Sequence, residues 1–132
     1  MIEFNQKETE FLGTLEEARI ATSSNDIPHV KPVSFVFHKK WIIVATDYNT
    51  KSFSNIKKNP NVSIVIDIYK SGGHKAVCIQ GQTEIIEQGK EFHEFYEIFY
   101  KKFGWVRKDP WTEKEAPFLK IIPKHKISWG VN

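Results

Sequence analysis

The sequence predicts a small antiparallel β-barrel with peripheral helices, and three observations carry that prediction. Most apolar residues lie in short segments that alternate at period two and are separated by turn residues. Only two stretches and one single turn repeat at helical spacing. No alternation of strand and helix suggests parallel βαβ units, and no G-x-G-x-x-G or G-x-x-x-x-G-K-S/T loop is present, which excludes a Rossmann domain and a P-loop nucleotidase. At 132 residues the chain has room for one domain, taken as residues 1–132.

Asn5 can cap a first helix, with Glu8 three residues on as its capping-box partner. Phe11, Leu12 and Leu15 then form one stripe, and Glu8, Glu16 and Glu17 fall mostly outside it. Ala18 to Ser23 is strand-like, and Asn25-Asp26 supplies turn chemistry. Pro28 to His38 is extended, with Val33, Phe35 and Phe37 on one face. Lys39-Lys40 closes a hairpin into Trp41–Thr46, a continuous apolar run of the kind buried on both faces. A short helix, Lys51 to Lys58, ends at Asn59-Pro60. Val62 to Tyr69 is β-branched, with Val62, Ile64, Ile66 and Ile68 on one face. Ser71-Gly-Gly73 is a loop, and Ala76 to Ile86 a further strand with a bulge expected at Gly81. Phe92, Phe95, Tyr96, Phe99 and Phe103 recur at three and four residues along a second long helix, with Gly104 as its C-terminal cap. Trp105 to Pro117 reads as an aromatic loop, and Phe118–Ile122 and Lys126–Trp129 as closing strands. The barrel therefore has six or seven strands.

Composition narrows the function. The net charge of +3 arises from 19 basic and 16 acidic residues, but only Arg19 and Arg107 are arginines. Base-reading proteins favour arginine for its fork, and the lysines here are scattered, so a solvated surface is expected and no nucleic-acid partner. The longest apolar runs are far too short for a bilayer span. Nothing reads as a signal peptide, and Cys78 is the single cysteine. A cytoplasmic protein without a membrane partner is the expectation.

Two places carry candidate chemistry. At Thr46 an apolar strand ends, a polar turn follows, and Thr50-Lys51-Ser52 opens a helix, where free N–H groups, the helix dipole and two hydroxyls flanking a lysine could hold a phosphate. The same residues also suit a plain helix cap with a solvated lysine. Upstream, Lys31 shares a face with Val33 and Phe35 and stands beside Pro32. A lysine at the end of an apolar face needs room to reach water, or an anion.

Together, Pro28-His-Val-Lys-Pro-Val-Ser-Phe-Val-Phe37, Ile43-Val-Ala-Thr46, Thr50-Lys-Ser52, Asn55-Ile-Lys-Lys-Asn-Pro-Asn-Val-Ser-Ile-Val65 and Val77-Cys-Ile-Gln-Gly-Gln-Thr-Glu84 resemble the pyridoxamine 5′-phosphate oxidase-like flavin proteins. The resemblance implies a split barrel that forms a homodimer with FMN at the subunit interface. It places the FMN phosphate on Lys31 and Lys51, with Thr46, Thr50 and Ser52 as further donors. Pro32, Val33 and Ser34 then lie beside the isoalloxazine, and Trp129 is either an aromatic near the flavin or core packing. The implied activity is a flavin-dependent oxidoreductase acting on a small molecule. Within the same fold the alternatives are a deazaflavin F420-dependent reductase and a non-catalytic flavin- or haem-binding protein. The chain departs from the oxidase itself in having Lys51-Ser52 where that enzyme has two basic residues, and in ending without arginine. Pyridoxal phosphate synthesis is therefore not expected.

The five histidines show no metal-ligand spacing, so no metal is expected. Cys78 reads as an inert thiol. Trp105, Arg107 and Trp111 either wall a substrate cleft or pack over the barrel mouth. No catalytic acid, base or nucleophile can be assembled, consistent with chemistry carried by a cofactor.

Overall fold

Each turn signal falls where the chain reverses. In the computed structural model, which describes residues 2–131, the order is α1 (Gln6–Thr14), β1 (Glu17–Ser24), β2 (Ile27–His38), β3 (Trp41–Ala45), α2 (Lys51–Lys58), β4 (Asn61–Ile68), β5 (Lys75–Ile86), α3 (Gly89–Lys102), α4 (Gly104–Lys108) and β6 (Phe118–Trp129). The six strands close an antiparallel barrel in the order β1-β2-β3-β6-β5-β4. Pairing of Ile20 with Ile64 across β1 and β4 completes it. Both tight hairpins turn on residues of positive φ, Asn25-Asp26 and Lys39-Lys40. Asn and Asp tolerate that conformation, whereas lysines do so at a cost. Ion pairs of Lys39 with Glu94 and Lys40 with Glu3 hold the second turn.

β3 explains the two-layer core. Ile42 and Val44 point into the barrel among Ile20, Phe35, Ile64 and Ile79, while Ile43 points outward. On that outer side α3 lays Phe92, Phe95 and Phe99 against Ile43 and Phe118. Phe11 and Leu12 of α1 and Ile56 of α2 join the barrel's interior cluster.

The structure corrects several expectations. Glu8 does not lie outside the stripe of α1; it is buried. Its Oε1 accepts from the Asn5 N–H at 2.9 Å and from Lys126 Nζ at 2.8 Å, and its Oε2 from Ser128 Oγ at 2.7 Å. The capping box forms, and its carboxylate doubles as the tie between α1 and β6. The two closing strands are one strand, β6, because Pro123 sits at a register shift: Gln80 pairs with His125 and Gly81 with Pro123. The irregularity absorbs the missing proline N–H. Gly81 serves that close approach, since a Cβ there would lie 2.5 Å from the Ile122 carbonyl oxygen. Gly104 is not a helix cap. α3 stops at Phe103, whose φ of −117° and ψ of 122° are extended, and Gly104 begins α4. Buried Phe103 packs on Phe99 and anchors the break.

Burial pushes the Glu8 carboxyl up. The donors from Lys126, Asn5 and Ser128, with the Lys126 charge, outweigh it and hold the group below its ordinary 4.5. A depressed folded value means that this stabilisation is complete above the ordinary carboxylate range and drains away as pH falls through the lower folded value. Glu8→Gln should therefore cost about 1–3 kcal/mol at neutral pH and flatten the acid limb of denaturation midpoint against pH. A limb of unchanged slope would place the acid lability elsewhere.

Candidate functional site

Thr50 caps α2. Its Oγ1 accepts from the Phe53 N–H at 3.2 Å and lies 2.9 Å from the Asp47 carbonyl oxygen, to which it donates. A hydroxyl has one proton, so Thr46 must be the donor in the 3.3 Å contact between the two threonine hydroxyls. The Thr46 proton is thus the one a ligand could redirect. Ser52, on the first turn, is 1% exposed, and its Oγ has no hydrogen-bond partner. An unsatisfied buried hydroxyl is costly, and here it stands where helix N–H groups and the positive end of the dipole collect. The first turn of α2 carries no acidic residue, and Lys57 and Lys58 occupy the last.

Strand β2 enters the same end of the barrel. Lys31 pairs with Ile20 and Val33 with Ala18, both inward-facing positions of β1. Continuing the register that pairs Phe35 with Val44 sets Val33 level with Thr46. α2 packs across β1 and β2, fixed by Asn55 Nδ2 donating to Thr22 Oγ1 at 3.0 Å and Asn59 Nδ2 to Ser23 Oγ at 3.2 Å. Val33 and Thr46 are therefore level across the sheet, with Lys31, Pro32 and Ser34 beside Val33 on β2, and Thr50, Lys51 and Ser52 open the helix that follows Thr46. Among the described residues neither Lys31 nor Lys51 has an ion-pair partner, as Lys57 and Lys58 at the other end of α2 also have none, whereas Lys39, Lys40, Lys101, Lys120 and Lys126 all do.

Trp129 is not brought to them. It lies opposite Ala76 at the far end of β6 from Phe118, and Phe118 is the residue that pairs with Ala45. A strand of this length spans roughly 35 Å. The Trp129 indole N–H donates to His74 Nδ1 at 3.3 Å. That fixes the His74 proton on Nε2, which meets Asp67 at 3.3 Å.

Beside Thr46 lies a cleft of about 360 Å³ that also includes Asp47, Trp105, Asp109, Trp111 and Glu115. The two tryptophans form a wall, as one sequence reading has it, but Arg107 does not join them. Its guanidinium donates to the carbonyls of Tyr100 and Lys101 at the end of α3. The three carboxylates escape sequence reasoning because Asp47 follows β3 while Asp109 and Glu115 lie more than sixty residues on, in the stretch between α4 and β6. Among the described residues no three His, Cys, Asp or Glu side chains are grouped to hold a metal, and no helix is long and apolar enough to cross a membrane. Cys78 is half-buried, and burial followed by the Asp67 charge pushes its thiol up, which disfavours the reactive thiolate.

A sequence model of the family described as pyridoxamine 5′-phosphate oxidase matches residues 4–128. Among solved structures, the haem storage protein HutZ from Vibrio cholerae superposes with a TM-score of 0.78 at 17% identity, covering 89% of each chain. The FAD binding protein from Mycobacterium smegmatis gives 0.70 at 16%, covering 96% of this chain and 94% of that one. General Stress Protein 26 from Bacillus anthracis gives 0.73 at 20%, covering 96% and 94%. At these identities the likeness is one of fold. No curated protein matches the sequence significantly.

Proposed function

The chain belongs to the pyridoxamine 5′-phosphate oxidase family, and from that premise we propose that it binds FMN and acts as a flavin-dependent oxidoreductase on a small molecule. The observation that carries the reading is the end of the barrel around α2. Two lysines without partners, a redirectable Thr46 hydroxyl and the orphaned Ser52 hydroxyl surround a helix N-terminus. That set suits the single terminal phosphate of FMN, a dianion that needs charge and several donors. Lys31 and Lys51 supply the charge. Thr46, Thr50, Ser52 and the first-turn N–H groups supply the donors, and the backbone of Pro32, Val33 and Ser34 flanks the ring system.

Bound there, the flavin supplies the hydride and electron chemistry. The protein's share is to hold the phosphate and fix the ring against β2. A second copy of the chain completes the site. The faces of β2 and β6 carry exposed Val30 and Ile127, at 64% and 70% exposure, apolar side chains that a partner subunit would cover. Trp129 can reach a flavin at Thr46 only from such a partner.

The test is the absorbance spectrum of the purified protein, repeated after reconstitution with FMN and read beside its mass in solution. The two bands of oxidised flavin, with FMN released on denaturation and a mass twice 15.4 kDa, support the reading. A haem Soret band, a deazaflavin spectrum, or an apo-protein that ignores FMN overturns it.

A further inference from the structure

The cleft beside Thr46 shares that threonine with the proposed phosphate site, but its tryptophans and carboxylates have no part in holding a flavin. We propose that it is a binding site for a small planar organic cation, seated against the Trp105–Trp111 pair and neutralised by Asp47, Asp109 and Glu115. The proposal does not depend on a bound flavin.

The charge distribution argues first. Bases outnumber acids on this chain, 19 to 16, yet the cleft is lined by three carboxylates and by no lysine or arginine. Glu115 keeps its charge, because the Thr112 hydroxyl and N–H donate to it, at 2.6 and 2.7 Å, and hold it below the ordinary carboxylate range. The carboxylates of Asp47 and Asp109 have no hydrogen-bond or ion-pair partner among the described residues, so no protein cation balances them.

The shape argues second. No three acidic groups converge closely enough for a metal ion; the charges are spread around the cleft, which fits a larger, delocalised cation. The indoles of Trp105 and Trp111 lie parallel, 5° apart in plane with centroids at 5.9 Å, and Trp105 is 43% exposed. Exposed indole faces attract cations, and more so planar ones that also stack. A volume of about 360 Å³ admits one substituted ring.

The probe pair is 1-methylnicotinamide, a planar cation bearing a carboxamide, and nicotinamide, the same ring without the charge. Binding is read from the indole N–H resonances of the four tryptophans, with and without FMN. The cation should saturably shift Trp105 and Trp111 while leaving Trp41 and Trp129 in place, and should bind at least about tenfold more tightly than nicotinamide. The Asp47→Asn/Asp109→Asn double variant should erase most of that preference and leave nicotinamide unchanged. Both side chains lack structural partners, and an unchanged amide spectrum certifies the fold. Equal affinity for the two probes, shifts confined to Trp41 or Trp129, or an undiminished preference in the double variant would overturn the proposal. Lys51→Ala should leave cation binding intact, so a protein that binds the cation but not FMN loses only the flavin reading.

Discussion

Lys51→Ala is expected to weaken FMN binding roughly ten- to a hundredfold, the loss of one charge-assisted hydrogen-bond partner from an anion site. Lys31→Ala should do the same, and the double variant more. Riboflavin separates this effect from general damage, since it has the ring but no phosphate; its affinity should stay constant across all three variants. Lys57→Ala, an exposed lysine on the last turn of the same helix, should change neither. Ser52→Ala should split stability from binding. Removing a buried hydroxyl with no partner should leave the apo-protein as stable or slightly more so, while FMN binds less tightly. A serine that merely fills space would show no loss of affinity. Parallel losses of FMN and riboflavin in Lys51→Ala would move the phosphate away from α2.

The residues around Thr46 could be grouped from the sequence because their signals are local. A threonine cap, a lysine and an Asn-Pro stop bound α2 at Lys51–Lys58, and the unbroken run Trp41–Ala45 announces a strand with apolar neighbours on both sides. Long-range partners leave no such trace. Glu8 looked like a surface cap residue because the groups that bury its charge, Lys126 and Ser128, are about 120 positions away. Pro123 looked like a strand break because a proline normally is one, and only the register shift against Gly81 lets β6 run through it. Arg107 looked available for a ligand until the end of α3 supplied two carbonyls. The acidic cleft could not be read at all, because Asp47, Asp109 and Glu115 meet only after α3 and α4 fold back onto the outside of β3.

That folding back depends on one side chain. Phe118→Ala should cost about 3–5 kcal/mol, the usual loss for a fully buried phenylalanine, or a fall in Tm of roughly 10–20 °C for a chain of this size. The ring is fully buried and contacts Phe92, Phe95, Phe99 and Trp111 at centroid distances of 5.2, 6.1, 5.1 and 5.7 Å. It therefore joins α3 and the cleft wall to the outside of the barrel, while its backbone pairs with Ala45 and Ile86. Alanine keeps the pairing and empties the joint. The barrel interior draws on a different set, including Phe35, Ile42 and Val44, and α2 packs on β1 and β2 rather than on this cluster. The loss should accordingly be uneven. Near-ultraviolet dichroism and Trp111 fluorescence should weaken first, and cation binding at the cleft should fail with them. FMN affinity, measured well below the lowered Tm, should stay close to that of the parent. Phe118→Leu, which refills most of the volume, should recover most of the stability. If Phe118→Ala abolishes FMN and cation binding together in one transition, the barrel and the outer helical layer are a single cooperative unit, and their separation is wrong.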